Sequence, residues 1–250
     1  VQALDRFLAP PPGLALPAAG EVHVWRIDLE RPAAAVDRWA ALLAPDEAAR
    51  AARFRFARHR RRFTVARGVV RELVGRYLGS PPEEVAFAYG ANGKPHLAPP
   101  AGARLALNVT HSAELAVVAF SAAVELGVDV ERRRAMPRAL EIAARFFSPA
   151  ERRALAALPP AARDDAFFRC WTRKEAYLKA VGDGLTVRLA GFDVTLGPGD
   201  PPRLLAIDGD PGRAAAWELA HLEPAAGYLG ALVVPARPAG PWRLTGWRAG

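Results

Sequence analysis

The chain has 250 residues, 51% of them hydrophobic and 24% charged, enough for one large core or two smaller ones. Its 34 Lys and Arg against 26 Asp and Glu leave a net charge of +8, which favours anionic partners: nucleic acid, an acidic protein or a phosphorylated small molecule. A single cysteine, Cys170, excludes a disulfide framework and a Cys-rich zinc site, makes redox catalysis unexpected and fits a reducing, cytoplasmic compartment.

A Pro-rich lead, Ala9–Pro17, precedes a strand-like segment at Glu21–Leu29. Phe63, Ala66, Val70, Leu73 and Tyr77 then recur at steps of three and four, one buried helix face, which Gly79-Ser80-Pro81-Pro82 stops. Short strand-like segments follow at Val85–Tyr89, Arg104–Val109 and Leu115–Phe120, with turns at Ala91-Asn92-Gly93-Lys94-Pro95 and at the polar stretch before Leu115. The apolar run from Ala113 to Val130 is broken by Glu114 and Glu125, and no basic segment leads into an apolar core at the start, so neither a membrane span nor a signal peptide is expected.

The second half repeats the order: a helix from about Asp164 to Val181, a stop at Gly182-Asp183-Gly184, then strand-like Phe192–Leu196, Leu204–Ile207, Ala215–His221 and Tyr228–Val234. The tail 235–250, rich in Pro, Gly and Arg, reads as an irregular extension. The repetition predicts an α+β fold of two similar α/β halves, 1–121 and 122–250, related by a pseudo-two-fold, each a helix on a small antiparallel sheet. The cleft between them is the natural site.

Val124–Glu131 alternates: Val124, Leu126, Val128 and Val130 fall on one strand face, Glu125, Gly127, Asp129 and Glu131 on the other. Residues two apart lie roughly 6.5–7 Å apart, so Asp129 and Glu131 can converge on a hard cation such as Mg²⁺. The competing reading is a solvated face paired with Arg132, Arg133 and Arg134. Trp171, Glu175 and Lys179 share one side of the second long helix. A plain Glu–Lys helix pair explains them unless that side is buried, as the Trp suggests. Ser148-Pro149-Ala150-Glu151 reads as a helix-starting capping box without chemistry. His23, His59, His96, His221 and Cys170 read as structural or surface residues.

Gly127-Val128-Asp129-Val130-Glu131, then Trp171-Thr172-Arg173-Lys174-Glu175-Ala176-Tyr177-Leu178-Lys179 and Gly182-Asp183-Gly184, resembles the signature of the 4′-phosphopantetheinyl transferase superfamily. Gly93-Lys94-Pro95, Asn108-Val109-Thr110-His111-Ser112 and Phe146–Glu151 extend the resemblance over roughly residues 43 to 185. Length and doubled layout resemble the larger, monomeric, pseudo-dimeric Sfp-type. Thr110 replaces the family's usual Ser, and Glu47 stands where some members carry a coenzyme A-binding Lys.

The resemblance implies transfer of phosphopantetheine from coenzyme A to a serine of an acidic apo acyl or peptidyl carrier protein, with Mg²⁺, or Mn²⁺ in its place, as cofactor. It assigns Asp129, Glu131 and Glu175 to the metal, and Glu175 and Lys179 to catalysis. Arg50, Arg62, Gly93, Lys94, Pro95, Asn108, Thr110, His111, Lys174 and Lys179 are assigned to coenzyme A. Neither a nucleic-acid nor a membrane partner is expected. For Arg58–Arg62 a solvated helix face and nucleic-acid binding remain alternatives to coenzyme A. For the whole chain the rivals are a non-catalytic nucleotide- or nucleic-acid-binding module and another Mg²⁺-dependent phosphotransferase.

Overall fold

Apolar residues on both faces make Glu21–Asp28 (β2) and Leu115–Ser121 (β6) interior strands. In the computed structural model, which describes residues 3–90, 93–122, 124–182 and 187–250, β6 pairs antiparallel with β2 (Val118 opposite Trp25) and with β5, Ala106–Ser112 (Val118 opposite Val109). The fourth strand comes from the far end of the chain: β12, Arg243–Ala249, runs parallel to β2 with Trp247 beside Trp25. The second sheet has the order β1–β10–β11–β7, from Ala3–Leu4, Trp217–Leu222, Tyr228–Pro235 and Gly127–Arg132, with β1 parallel to β10. Each half's sheet is therefore completed by a strand from the opposite terminus. The tail expected to be irregular carries β12.

Two 22-residue helices cover the sheets, α3 (Ala57–Leu78) and α6 (Pro160–Val181), the former ended by Gly79 in the left-handed region at φ +67°. Val65, Val69, Leu73 and Tyr77 of α3 pack on Trp25, Ile27, Val118 and Phe120. Phe167, Cys170, Tyr177 and Ala180 of α6 pack with Leu219, Leu229, Ala231 and Val233. The other faces of the sheets meet each other, Val22, Val24, Leu115 and Val117 against Val128, Val130, Leu222 and Leu232. The order is helix, sheet, sheet, helix, with three apolar layers between them. Around α3 lie α1 (Ala33–Ala40) and α2 (Pro45–Ala52), and around α6 lie α4 (Ala139–Phe146) and α5 (Pro149–Ala157). Hairpins β3/β4 (Phe87–Tyr89, Pro95–Leu97) and β8/β9 (Phe192–Val194, Leu204–Ile207) are peripheral.

Two local expectations change. The polar stretch Asn108–Ser112 is strand, and the turn is confined to Ala113, at φ +50°, and Glu114. The acidic strand starts at Gly127, so Glu125 precedes it. Ala91, Asn92, Asp183 and Gly184 lie outside the described residues. Among those described, no helix is long and apolar enough to cross a membrane.

Candidate active site

The edge strands β5 and β7 of the two sheets lie side by side, joined by side chains. A two-residue period puts Asn108, Thr110 and Ser112 on one side of β5. Asn108 Oδ1 accepts the Val128 N–H at 3.0 Å, and the Thr110 hydroxyl donates to Asp129 Oδ1 at 2.9 Å. Ser112 donates to Glu131 Oε2 at 2.7 Å and accepts the Arg132 N–H at 3.1 Å. On the other flank α6 presses onto Gly127: a Cβ there would meet Ala176 O at 2.0 Å and Ala180 N at 2.4 Å. Only a residue without a side chain lets the helix come this close.

That approach brings Glu175 and Lys179 to the carboxylates of β7. The Lys179 ammonium donates to Asp129 Oδ1 at 2.7 Å and to Val128 O at 3.1 Å. Burial raises the Asp129 carboxyl above its ordinary range, with Lys179 and Thr110 opposing the shift. Burial likewise raises Glu175, reinforced by the charges of Asp129 and Glu131 and opposed by Lys179. The three acids thus act on one another without being gathered into a cage: among the described residues no group of three His, Cys, Asp or Glu side chains is placed to hold an ion.

A hard divalent cation nevertheless suits this donor set. Asp129 Oδ2 is buried and has no hydrogen-bond partner, the donors are carboxylate oxygens, and their mutual repulsion is what such an ion relieves. Mg²⁺ in particular is held by one or two carboxylates, substrate phosphates and water more often than by an all-protein cage.

The remaining predicted residues divide. His111 stands at the solvent-open rim of β5, where partial loss of hydration and the charges of Lys179 and Arg62 lower its pKa while Asp129 and Glu131 oppose that. Arg62 reaches Glu30 at 2.8 Å and Glu114 at 3.2 Å. Lys94, on the hairpin that holds Gly93 and Pro95, crosses to Glu125 at 2.7 Å and to the carbonyl of Lys179 at 2.8 Å, bridging the halves. Arg50 is exposed on α2, stacked over the Phe63 ring.

Two expected coenzyme A contacts are corrected. Lys174 is fully buried, bonded to Glu151 at 2.9 Å and to the carbonyls of Leu189 and Phe192, inside the second half. Asn108 is buried and its side-chain oxygen is committed to Val128, so it serves the seam. Glu47, standing where some family members have Lys, is buried against Arg71 at 2.6 Å. The Ser148–Glu151 capping box forms as expected.

The sequence reading missed Ser112, Glu114 and Tyr228. Glu114 accepts from Arg132 at 2.8 Å and from the Tyr228 hydroxyl at 3.1 Å while holding Arg62, so it ties both halves beside the site. For Ser112 the two-residue period from Asn108 was the available signal. A cavity of about 950 Å³ between Trp25, Leu73, Arg76 and Arg248 is lined by none of the site residues.

Residues 125–233 match the 4′-phosphopantetheinyl transferase superfamily and residues 31–123 match the 4′-phosphopantetheinyl transferase N-terminal family. The chain is 41% identical to 4′-phosphopantetheinyl transferase HetI of Nostoc sp. over 91% of this chain and 93% of that protein. It is 28% identical to 4′-phosphopantetheinyl transferase Sfp of Bacillus subtilis, over 70% and 77% of the two chains. Against the human L-aminoadipate-semialdehyde dehydrogenase-phosphopantetheinyl transferase it is 28% identical over 62% of this chain and 53% of that protein. Fold and site define a two-half transferase with its acidic residues at the seam. The chain belongs to the 4′-phosphopantetheinyl transferase superfamily, in its Sfp-type form, and is an enzyme of that class, which generally uses Mg²⁺ and coenzyme A.

Proposed function

We propose that this enzyme transfers 4′-phosphopantetheine from coenzyme A to a serine of an acidic apo carrier protein at the β5–β7 seam, releasing adenosine 3′,5′-bisphosphate. The observation that carries this reading is that α6, closing on Gly127, sets the Lys179 ammonium on Asp129 and brings Glu175 within electrostatic reach of Asp129 and Glu131. Asp129, Glu131 and Glu175 would hold Mg²⁺, or Mn²⁺ in its place. When bound, the ion supplies positive charge for the pyrophosphate of coenzyme A.

Lys179 balances charge that grows on the leaving phosphate oxygen as the new serine–phosphorus bond forms and the pyrophosphate bond breaks. Glu175 is the residue assigned to take the serine proton. His111, Arg62 and Arg50 suit the 3′-phosphate, and Lys94 with the backbone of Gly93 and Pro95 suits the nucleotide.

The test is the gain of one phosphopantetheine on a panel of apo carrier proteins, read by mass, with and without EDTA. Modification should require the metal. Asp129→Asn should lower kcat/KM by about 10²–10³-fold while the fold persists. A panel left unmodified by enzyme that still binds coenzyme A would overturn the reading.

A further inference from the structure

Arg62 is held on one side and open on the other. Its Nε and Nη2 both reach Glu30 Oε1 at 2.8 Å, and Nη2 also reaches Glu114 Oε1 at 3.2 Å. Among the described residues its third guanidinium nitrogen, Nη1, has neither a hydrogen-bond nor an ion-pair partner. The Glu114 carbonyl takes the Leu29 N–H at 2.8 Å, which sets Glu30, the next residue, beside Glu114. The charge of Arg62 extends to His111, whose pKa is lowered by burial, by Lys179 and by Arg62.

Glu114 is itself fixed from the second half of the molecule. The Tyr228 hydroxyl accepts the Glu114 N–H at 3.3 Å and donates to Glu114 Oε2 at 3.1 Å, while Arg132 donates to the same oxygen at 2.8 Å. Oε2 is thereby committed to the second half, and Oε1 is left to Arg62. The Tyr228 ring is buried in the apolar layer between the sheets. A phenylalanine would fill that layer as well, and among the described residues the hydroxyl serves Glu114 alone. Burial raises the pKa of the phenol, so it stays a donor at neutral pH. The cluster adjoins the seam: the Arg132 N–H is bonded to Ser112 Oγ, which in turn holds Glu131.

A free arginine side chain carries about 2 kcal/mol of rotamer entropy that binding a phosphate must remove. An arginine already bridged by two carboxylates has lost that freedom before the ligand arrives. Because Arg132 shares Glu114 with Arg62, the carboxylate orients Arg62 without cancelling its charge. We infer that Tyr228 and Glu114 are positioning residues that hold Arg62, across the two halves, for the 3′-phosphate of coenzyme A. This rests on the transfer reading above and on its placing of Arg62 at that phosphate.

The experiment compares coenzyme A with 3′-dephospho-coenzyme A in Tyr228→Phe and Glu114→Ala, by transfer kinetics and by calorimetric binding. Matching thermal transitions check that both variants fold. The expected result is an about fivefold rise in KM and Kd for coenzyme A. KM and Kd for 3′-dephospho-coenzyme A, and kcat with either donor, should stay within about twofold. In an Arg62→Ala background Tyr228→Phe should add nothing further. An equal loss with both donors overturns the positioning role, since it marks a general disturbance of the fold. So does a full additional loss in the Arg62→Ala background. Tighter coenzyme A binding by Glu114→Ala also overturns it, because the carboxylate would then compete with the phosphate for Arg62. Absence of transfer by the unsubstituted enzyme overturns the transfer reading, while the binding comparison still decides the positioning role.

Discussion

Lys174 and Glu175 are neighbours in sequence and face different worlds. Glu175 looks into the seam, whereas Lys174 points into the second half, where it is fully buried with three oxygen partners. One of these, Glu151, also takes the N–H of Val194 at 2.8 Å, so a single buried pair fixes α5, α6 and β8. Lys174→Met leaves Glu151 buried without its cation, which should cost about 3–5 kcal/mol of stability. Adding Glu151→Gln should recover much of that, because no charge then remains unpaired. Denaturant unfolding of the two variants checks this. If Lys174 were a coenzyme A contact, Lys174→Met would instead unfold like the unsubstituted protein and bind coenzyme A weakly. The signature motif marked both residues, but a motif records that a residue type is needed and not which way it points. Glu175 and Lys179 were legible because they lie four apart on one helix face with Trp171. Lys174 was misread because its partners are 15 to 23 residues away in sequence, in Leu189, Phe192 and Glu151.

At the scale of elements, the site depends on how closely α6 approaches β7. The alternation along Val124–Glu131 made the strand from Gly127 onward readable, with Asp129 and Glu131 on one face, and the helix period did the same for α6. Their contact was not readable as a distance, although the glycine in the acidic motif was its trace. Gly127→Ala places a methyl group about where Ala176 O and Ala180 N now stand. The backbones must separate, at a cost of about 1–3 kcal/mol. Glu175 and Lys179 shift with the helix, and displacement on the order of 1 Å lowers kcat/KM by about 10²-fold. Transfer kinetics together with a thermal melt test this; full activity in Gly127→Ala would show that the close approach is dispensable. The companion strand β5 was read as strand only as far as Val109, and Thr110–Ser112 were given to the turn because they are polar. Polar side chains mark a strand edge here because their partners are on the neighbouring sheet.

Across the whole molecule, the two halves exchange their terminal strands. β1 lies on β10, and β12 lies on β2. The exchange was hidden in sequence. Leu244 faces the inter-sheet layer while Trp247 and Ala249 face the α3 layer, yet the intervening arginines and Gly246 blur that alternation, and strand pairing over more than 200 residues leaves no local mark. One consequence is that neither half is a folding unit, despite the repeated order of elements that makes each look like one. Fragment 1–122 lacks β12 and exposes Val22, Val24, Leu115 and Val117, an apolar loss on the order of 10 kcal/mol, comparable to the stability of a whole domain. Fragment 123–250 lacks β1 and loses the cover of Val128, Val130 and Leu232. Produced separately, each should lack a cooperative melt and self-associate through its open edges. Refolded together they should form a one-to-one complex that regains the transition and the transfer activity, since every missing strand and apolar face is then supplied by the other chain. A cooperative transition from either fragment alone would show instead that the halves are independent domains held together by their linker.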